Sequence, residues 1–97
     1  MKRVEAIEFS EFDWDPTKYQ KVLVTREIDF LQIAAALLGP HLSQRSDKQG
    51  EDRTLAICMI ETQIVRVIYT SRGSVCRIIT AMAARRNERE EYRQIFG

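Results

Sequence analysis

Apolar and polar residues in the first half of the chain follow one strand-like pattern and two helical patterns. Residues 3–9 alternate between apolar and polar side chains, which predicts a strand. Asp15 followed by Pro16 is typical of a helix start, and the apolar spacing predicts a helix from residue 16 to about residue 25. Asp29 begins a second helical pattern, which Gly39-Pro40 ends.

The second half consists mainly of β-branched runs separated by short polar breaks. Residues 41–52 are polar, which predicts a loop. Three strands are predicted to follow, and a last helix should run from about residue 81 to residue 95. The predicted strands are residues 53–59, 63–70 and 74–80. Ser71-Arg72-Gly73 has the composition of a hairpin loop in which glycine takes positive φ.

These elements predict a single α+β domain that spans residues 1–97. The order is β-α-α-β-β-β-α, with a small antiparallel meander sheet and helices packed on it. Both cysteines, Cys58 and Cys76, lie within predicted strands, which is typical of buried structural thiols. The chain lacks a signal-peptide pattern and a membrane-spanning run, so we expect a cytoplasmic protein without membrane contact.

The formal net charge is +1, so any attraction for an anionic partner has to be local. Between Arg66 and Arg93 the basic residues are seven arginines with no lysine, a bias that favours bidentate contacts with phosphate or carboxylate. The only histidine is His41, which is expected to be an unremarkable loop residue. With no CxxC spacing and no glycine-rich phosphate loop, the sequence predicts no metal site and no cofactor.

Arginines with a nearby carboxylate are suited to metal-independent RNA cleavage. Guanidinium groups neutralise the charge that develops on phosphorus, and a base takes the proton of the internal 2′-hydroxyl nucleophile. Simpler interpretations remain open for the same residues. The last helix alternates arginine with glutamate, which is typical of a solvent-exposed face. Arg77 could extend its guanidinium group into solvent at a sheet edge. Arg53 could pair with Glu51 and so close the polar loop.

Four short motifs, in this order along residues 8–93, resemble the BrnT family of toxins. They are Phe12-Asp13-Trp14-Asp15-Pro16 with Lys18, Gly50-Glu51-Asp52-Arg53, Tyr69-Thr70-Ser71-Arg72-Gly73, and Arg77-Ile78-Ile79-Thr80-Ala81 followed by Arg85-Arg86-Asn87-Glu88-Arg89 and Tyr92. The resemblance implies a RelE-like fold and a ribonuclease toxin of a type II toxin–antitoxin pair. It also implies a BrnA-like antitoxin with a ribbon-helix-helix part, through which alone the complex contacts DNA.

The chain departs from the family pattern at three places. A common Lys-His-Gly step reads Thr25-Arg26-Glu27, a common Ser-Ala-Arg step reads Thr80-Ala81-Met82, and the loop has Ser46 and Asp47 where a histidine is common. The resemblance therefore implies that a general base and one phosphate ligand have been replaced. Arg26 can hold phosphate but is a poor base.

We expect the site residues to surround one concave surface of the sheet. The expected catalytic residues are Glu51 as base with Arg53, Arg72, Arg77 and Arg85, and the expected RNA- or phosphate-binding residues are Lys18, Arg26, Arg86 and Arg89. Two other hypotheses stay open. One is a catalytically impaired binding module that pairs with a DNA-binding antitoxin. The other is an oligomer unit that uses Tyr92, Ile95 and Phe96.

Overall fold

A computed structural model describes residues 1–46 and 52–97 of the chain, which contain three helices and a six-stranded sheet. The elements in chain order are β1 (Lys2–Val4), β2 (Glu11–Trp14), α1 (Pro16–Arg26), α2 (Phe30–Leu37), β3 (His41–Arg45), β4 (Thr54–Ile60), β5 (Gln63–Arg72), β6 (Val75–Ala83) and α3 (Arg86–Phe96). None of these helices has both the length and the apolar character that a membrane crossing requires.

The sheet has the strand order β1-β3-β4-β5-β6-β2. All neighbours are antiparallel except β2, which runs parallel to β6 at the sheet edge. β4, β5 and β6 form the predicted meander, and its second turn contains Gly73 at a φ of 61°. Residues that have a Cβ atom disfavour positive φ, so glycine suits this turn. A bulge between Ile68 and Tyr69 shifts the register against β6.

The two faces of the sheet are covered by different helices. Helices α1 and α2 pack on one face and bury an apolar cluster that contains Val22, Phe30, Leu37, Cys58 and Val67. Asp15 and Asp29 begin these two helices, and each carboxylate accepts a hydrogen bond from a backbone N–H in the first turn. Helix α3 covers part of the opposite face.

The cluster beneath α3 is smaller than the cluster beneath α1 and α2. It contains Leu42, Leu55, Ile57, Ile64, Ala84 and Tyr92. Because alternate residues of a strand point to opposite faces, the side chains of Leu55, Arg66 and Ile68 lie on the α3 face of the sheet. Part of this face lies beyond the helix and carries the polar groups described below.

The structure confirms the α+β class and the order of the predicted elements, and it adds two strands that the pattern did not indicate. Residues 41–52 were expected to be a loop, but His41–Arg45 form β3 and pair with β1 and β4. His41 is wholly buried rather than in a loop, and its Nδ1 lies 2.8 Å from the Gly39 carbonyl oxygen. Pairing on both sides explains why so polar a segment is extended.

Two predicted boundaries, the end of the first strand and the start of the last helix, were wrong. The first strand ends at Val4 rather than residue 9, and Glu11–Trp14 form an edge strand before α1. The last helix begins at Arg86 rather than residue 81, because β6 continues to Ala83 and pairs there with Val65. Ala81-Met82-Ala83-Ala84 has high helix propensity, but the backbone partners that β5 offers outweigh it.

Adjacent leucines at the end of α2 provide a matched test of this core. Leu37 is wholly buried, whereas Leu38 is 54% exposed. We expect Leu37→Ala to lower the free energy of unfolding by about 2–5 kcal/mol, because it leaves a cavity. Leu38→Ala should change it by less than about 0.5 kcal/mol. Urea unfolding of both variants measures the difference, and equal losses would contradict the packing of α2.

The buried thiols predict a loss of stability at alkaline pH. Burial raises the pKa of Cys58 and of Cys76 to about 12. In the unfolded chain the pKa of a thiol is about 8.5, so below that pH both states are protonated and the free energy of unfolding does not depend on these groups. As the pH rises from there towards 12, only the unfolded chain loses the thiol protons, and the free energy of unfolding falls. At pH 10 the loss is roughly 2 kcal/mol for each thiol. A variant with both cysteines changed to alanine should show a shallower pH dependence of urea unfolding; equal slopes would contradict the prediction.

Candidate nucleic-acid interface

A polar hollow opens on the α3 face of the sheet, beside the start of that helix. We call it the arginine hollow; its volume is about 400 Å³. It is lined by Ser46, Arg53, Arg66, Ile68, Thr80, Met82 and Arg85. Neighbouring strands contribute these side chains because alternate residues of β5 and β6 point to this face. Three guanidinium groups thus meet over one patch of sheet, as expected of a phosphate-binding surface.

A second hollow adjoins the first and shares Ser46, Arg66 and Arg85 with it. We call it the amide hollow; its volume is about 310 Å³. Its remaining lining residues are Met1, Gln44, Leu55, Asn87, Glu88 and Glu91. The two hollows differ in charge, because among residues 1–46 and 52–97 the amide hollow has carboxylates in its lining and the arginine hollow has none.

Arg66 and Glu88 form a largely buried ion pair where the two hollows meet. Arg66 Nε lies 3.1 Å from each carboxylate oxygen of Glu88, and the two side chains are 12% and 6% exposed. The same carboxylate accepts a hydrogen bond of 2.8 Å from the backbone N–H of Arg85. These contacts fix the start of α3 to the centre of the sheet and so place Arg85 over the arginine hollow.

Backbone contacts at the start of β4 hold Arg53 at the opposite side of this hollow. The backbone N–H of Ser46 donates to the carbonyl oxygen of Arg53 at 2.8 Å. The Thr70 hydroxyl donates to the carbonyl oxygen of Asp52 at 2.7 Å. The position of Arg53 is therefore set by two neighbouring strands rather than by a loop alone.

The last residue of α1 reaches the rim of the arginine hollow from the sheet edge. Arg26 Nη1 donates to the carbonyl oxygen of Ala81 at 2.8 Å and to the hydroxyl oxygen of Thr80 at 3.2 Å. Thr80 itself lines the hollow. A fourth guanidinium group therefore contacts a residue that lines the hollow, although it belongs to a distant part of the sequence.

Two other expected site residues share a separate hollow near the start of α1. Arg77 and Lys18 line it together with Asp15, Ile78 and Ile79, and its volume is about 260 Å³. Arg77 also forms an ion pair with Asp13, which is its register partner on β2. Because Cys76 and Ile78 point towards α1, Arg77 lies on the same face as Arg66 but lines a different hollow.

Arg72, Arg86 and Arg89 line none of these three hollows. Arg72 is exposed at the hairpin tip, and Arg86 pairs with Glu90 on the solvent side of α3. Arg89 donates to the carbonyl oxygen of Ala84, at the link between β6 and α3. Glu51 lies outside the described residues. The structure thus brings Arg53 and Arg85 together with Arg26 nearby, and it pairs Arg77 with Lys18 elsewhere.

Sequence reasoning omitted Arg66 from the site, although Arg66 lies between both major hollows. The signal was present in the chain. Arg66 is flanked on its own face of β5 by Ile64 and Ile68, so it is a charged residue within an apolar stripe. Such a residue has to be paired, and Glu88, in the first turn of α3, is its partner.

The fold and the site together define a small α+β domain with a cationic hollow on one sheet face. A protein-family model described as "Ribonuclease toxin, BrnT, of type II toxin-antitoxin system" matches residues 14–88. This match covers most of the 97 residues, so the chain belongs to the BrnT family. No curated protein matches the chain. Family membership indicates a ribonuclease toxin that is paired with an antitoxin.

Two glutamates on α3 provide a matched test of the ion pair at the site. Glu88→Ala leaves Arg66 buried without its carboxylate, and we expect it to lower the free energy of unfolding by about 3–5 kcal/mol. Glu90 pairs with Arg86 at the surface, where the side chains are 61% and 86% exposed, so Glu90→Ala should cost less than about 0.5 kcal/mol. Urea unfolding separates the cases; a mild effect of Glu88→Ala would show that Arg66 can reach water.

Proposed function

We propose that the chain is a ribonuclease toxin that cleaves RNA without a metal ion or cofactor, with the scissile phosphate in the arginine hollow. The observation that carries this proposal is the meeting of Arg53, Arg66 and Arg85 around that one hollow. All three lie within the segment that matches the ribonuclease family. Several guanidinium groups around one phosphate provide the charge stabilisation that phosphoryl chemistry requires.

The proposed reaction uses the 2′-hydroxyl of the RNA as its nucleophile. A base takes the hydroxyl proton, the O2′–P bond forms, and the P–O5′ bond breaks as the departing oxygen gains a proton. The products are a 2′,3′-cyclic phosphate and a free 5′-hydroxyl. Because the nucleophile is part of the substrate, the protein needs to supply alignment, a base and positive charge.

We assign the roles according to position. Arg53 and Arg85 contact the phosphate oxygens from opposite sides, and Arg66 remains fixed by Glu88 beneath them. Arg26 adds charge at the rim. Glu51 is the proposed base, a choice that rests on the sequence alone.

The outlying basic residues are proposed to bind the flanking parts of the RNA strand. Arg77 and Lys18 together suit a neighbouring phosphate, because both line the hollow near α1. Arg72 at the hairpin tip and Arg86 and Arg89 on α3 would add weaker, longer-range attraction. Exposed charges of this kind contribute little individually and are screened by salt.

The proposed partner is a BrnA-like antitoxin with a ribbon-helix-helix part. We propose that it binds α3 and the adjoining sheet face, which would cover the arginine hollow and block RNA. DNA would then be contacted only through the antitoxin, and the pair would act in the cytoplasm with translation as the target. This arrangement is supported by the position of the hollow directly beside α3, where one bound segment could cover both.

A second candidate function is a catalytically impaired module that binds the antitoxin. One observation favours it. Arg26 occupies a position where the family pattern commonly has histidine, and its guanidinium group is used in hydrogen bonds to Thr80 and Ala81. Arginine is effectively always protonated, so it cannot accept a proton from RNA.

Arginine variants of the purified chain test the ribonuclease. We expect Arg53→Ala and Arg85→Ala each to lower the rate of transcript cleavage by about 100-fold or more, since each removes positive charge from the transition state. Arg93→Ala is the matched control, because Arg93 is exposed on α3 and lines none of the three hollows. Cleavage is followed in EDTA over a range of pH, with folding checked by circular dichroism.

Two outcomes separate the candidate functions. Cleavage that survives EDTA and depends on Arg53 and Arg85 supports the metal-independent ribonuclease. Intact RNA at every pH, together with normal growth of cells that express the chain without an antitoxin, supports the binding module instead.

A further inference from the structure

The amide hollow is lined mainly by polar groups, and two of them are amide side chains. Leu55 is 4% exposed, so it contributes little apolar surface to this hollow. Gln44 lies two residues after Leu42 on β3, so both point to the α3 face. Asn87 extends from the first turn of α3. The hydrogen-bonding edge of a nucleobase would match two amides placed in this way.

Both amides are available to a ligand. Within residues 1–46 and 52–97, neither the Gln44 nor the Asn87 side chain makes a hydrogen bond. Each amide presents a donor beside an acceptor, which is the pattern that pairs bidentately with adenine. The volume of about 310 Å³ is at the lower end for ligand sites, which suits one nucleobase rather than a large cofactor.

The charges of the amide hollow are largely paired among themselves. Glu88 lies against Arg66, and Glu91 Oε2 lies 3.1 Å from the amino group of Met1. The two carboxylates therefore offset positive charge that would otherwise attract a phosphate. Among the described residues, the lining of the adjoining arginine hollow has three arginines and no carboxylate, so it is the better place for the phosphate.

The two hollows share part of their lining, so neighbouring groups of one RNA strand would fit into both. Ser46, Arg66 and Arg85 belong to both, so a ligand group in one hollow is a neighbour of a group in the other. Single-stranded RNA is recognised by bases that turn away from their neighbours into such sites. We propose that the amide hollow binds the nucleobase adjacent to the scissile phosphate, with Gln44 and Asn87 selecting adenine. This inference rests on the proposed ribonuclease function.

Binding of short RNA analogues tests the base site apart from cleavage. The probes are fluorescent uridine oligonucleotides with a single central adenine, guanine or cytosine, or with none. A 2′-O-methyl group on every ribose removes the nucleophile, so that the chain can bind but cannot cut. Dissociation constants from fluorescence anisotropy are compared for the parent chain, Gln44→Ala, Asn87→Ala and the control Gln94→Ala, which changes an exposed amide outside all three hollows.

We expect the adenine probe to bind the parent chain about tenfold more tightly than the all-uridine probe. Gln44→Ala and Asn87→Ala should each remove most of that preference while leaving affinity for the all-uridine probe within about twofold, and Gln94→Ala should retain it. Equal binding of all probes by the parent chain, or an unchanged preference in both amide variants, would overturn the inference.

Cleavage of the unmodified oligonucleotides is measured in parallel, so that the two proposals can fail separately. A chain that prefers adenine in an amide-dependent manner but leaves RNA intact would contradict the ribonuclease and support the base site. A chain that cuts RNA without any base preference would support the ribonuclease and overturn the base site.

Discussion

The buried ion pair between Arg66 and Glu88 holds the functional face of this domain together. Two charges that are 12% and 6% exposed would be costly to bury apart, so each side chain requires the other. Glu88 also accepts the backbone N–H of Arg85. A single carboxylate therefore connects the centre of β5 with the beginning of α3. This connection places Arg66 and Arg85 side by side, where both line the two hollows.

This pairing also limits how strongly Arg66 can attract an anion. The charge of Arg66 is largely balanced by Glu88, so Arg66 contributes less attraction for an anion in the arginine hollow than an unbalanced guanidinium group would. With a net charge of +1, the chain as a whole provides little long-range field. Under the proposed function, binding of RNA at this face should accordingly depend on close contacts and on salt concentration.

The parts of the fold that the sequence predicted well are those with local causes. Helices α1 and α2 begin at Asp15 and Asp29 as expected, because an aspartate cap acts within the first turn. β3 and the start of α3 were missed because partners distant in the sequence determine them. His41 is buried by strand pairing with β1 and β4, and Ala83 is extended because it pairs with Val65.

The candidate site shows the same division between local and distant causes. Arg53 and Arg85 could be selected from the sequence because arginine in a family motif indicates anion binding. Their grouping with Arg66 could not be predicted, since it depends on the register of β5 and on the single turn of α3 that carries Glu88. Arg77 and Lys18 were expected at the same surface, yet the parallel edge strand β2 supplies Asp13 to Arg77 beside a different hollow.

Two segments that depart from the family pattern lie against each other in the fold. Arg26 donates hydrogen bonds to Thr80 and Ala81, directly beside Met82, which lines the arginine hollow where the family pattern commonly has arginine. The resemblance implies an arginine at residue 82, and Arg26 brings a guanidinium group to the adjoining residues Thr80 and Ala81. Arginine stays protonated, so Arg26 adds positive charge here but no titratable base. Under the proposed function, proton removal and charge stabilisation are therefore assigned to different residues, and the base is a residue other than Arg26.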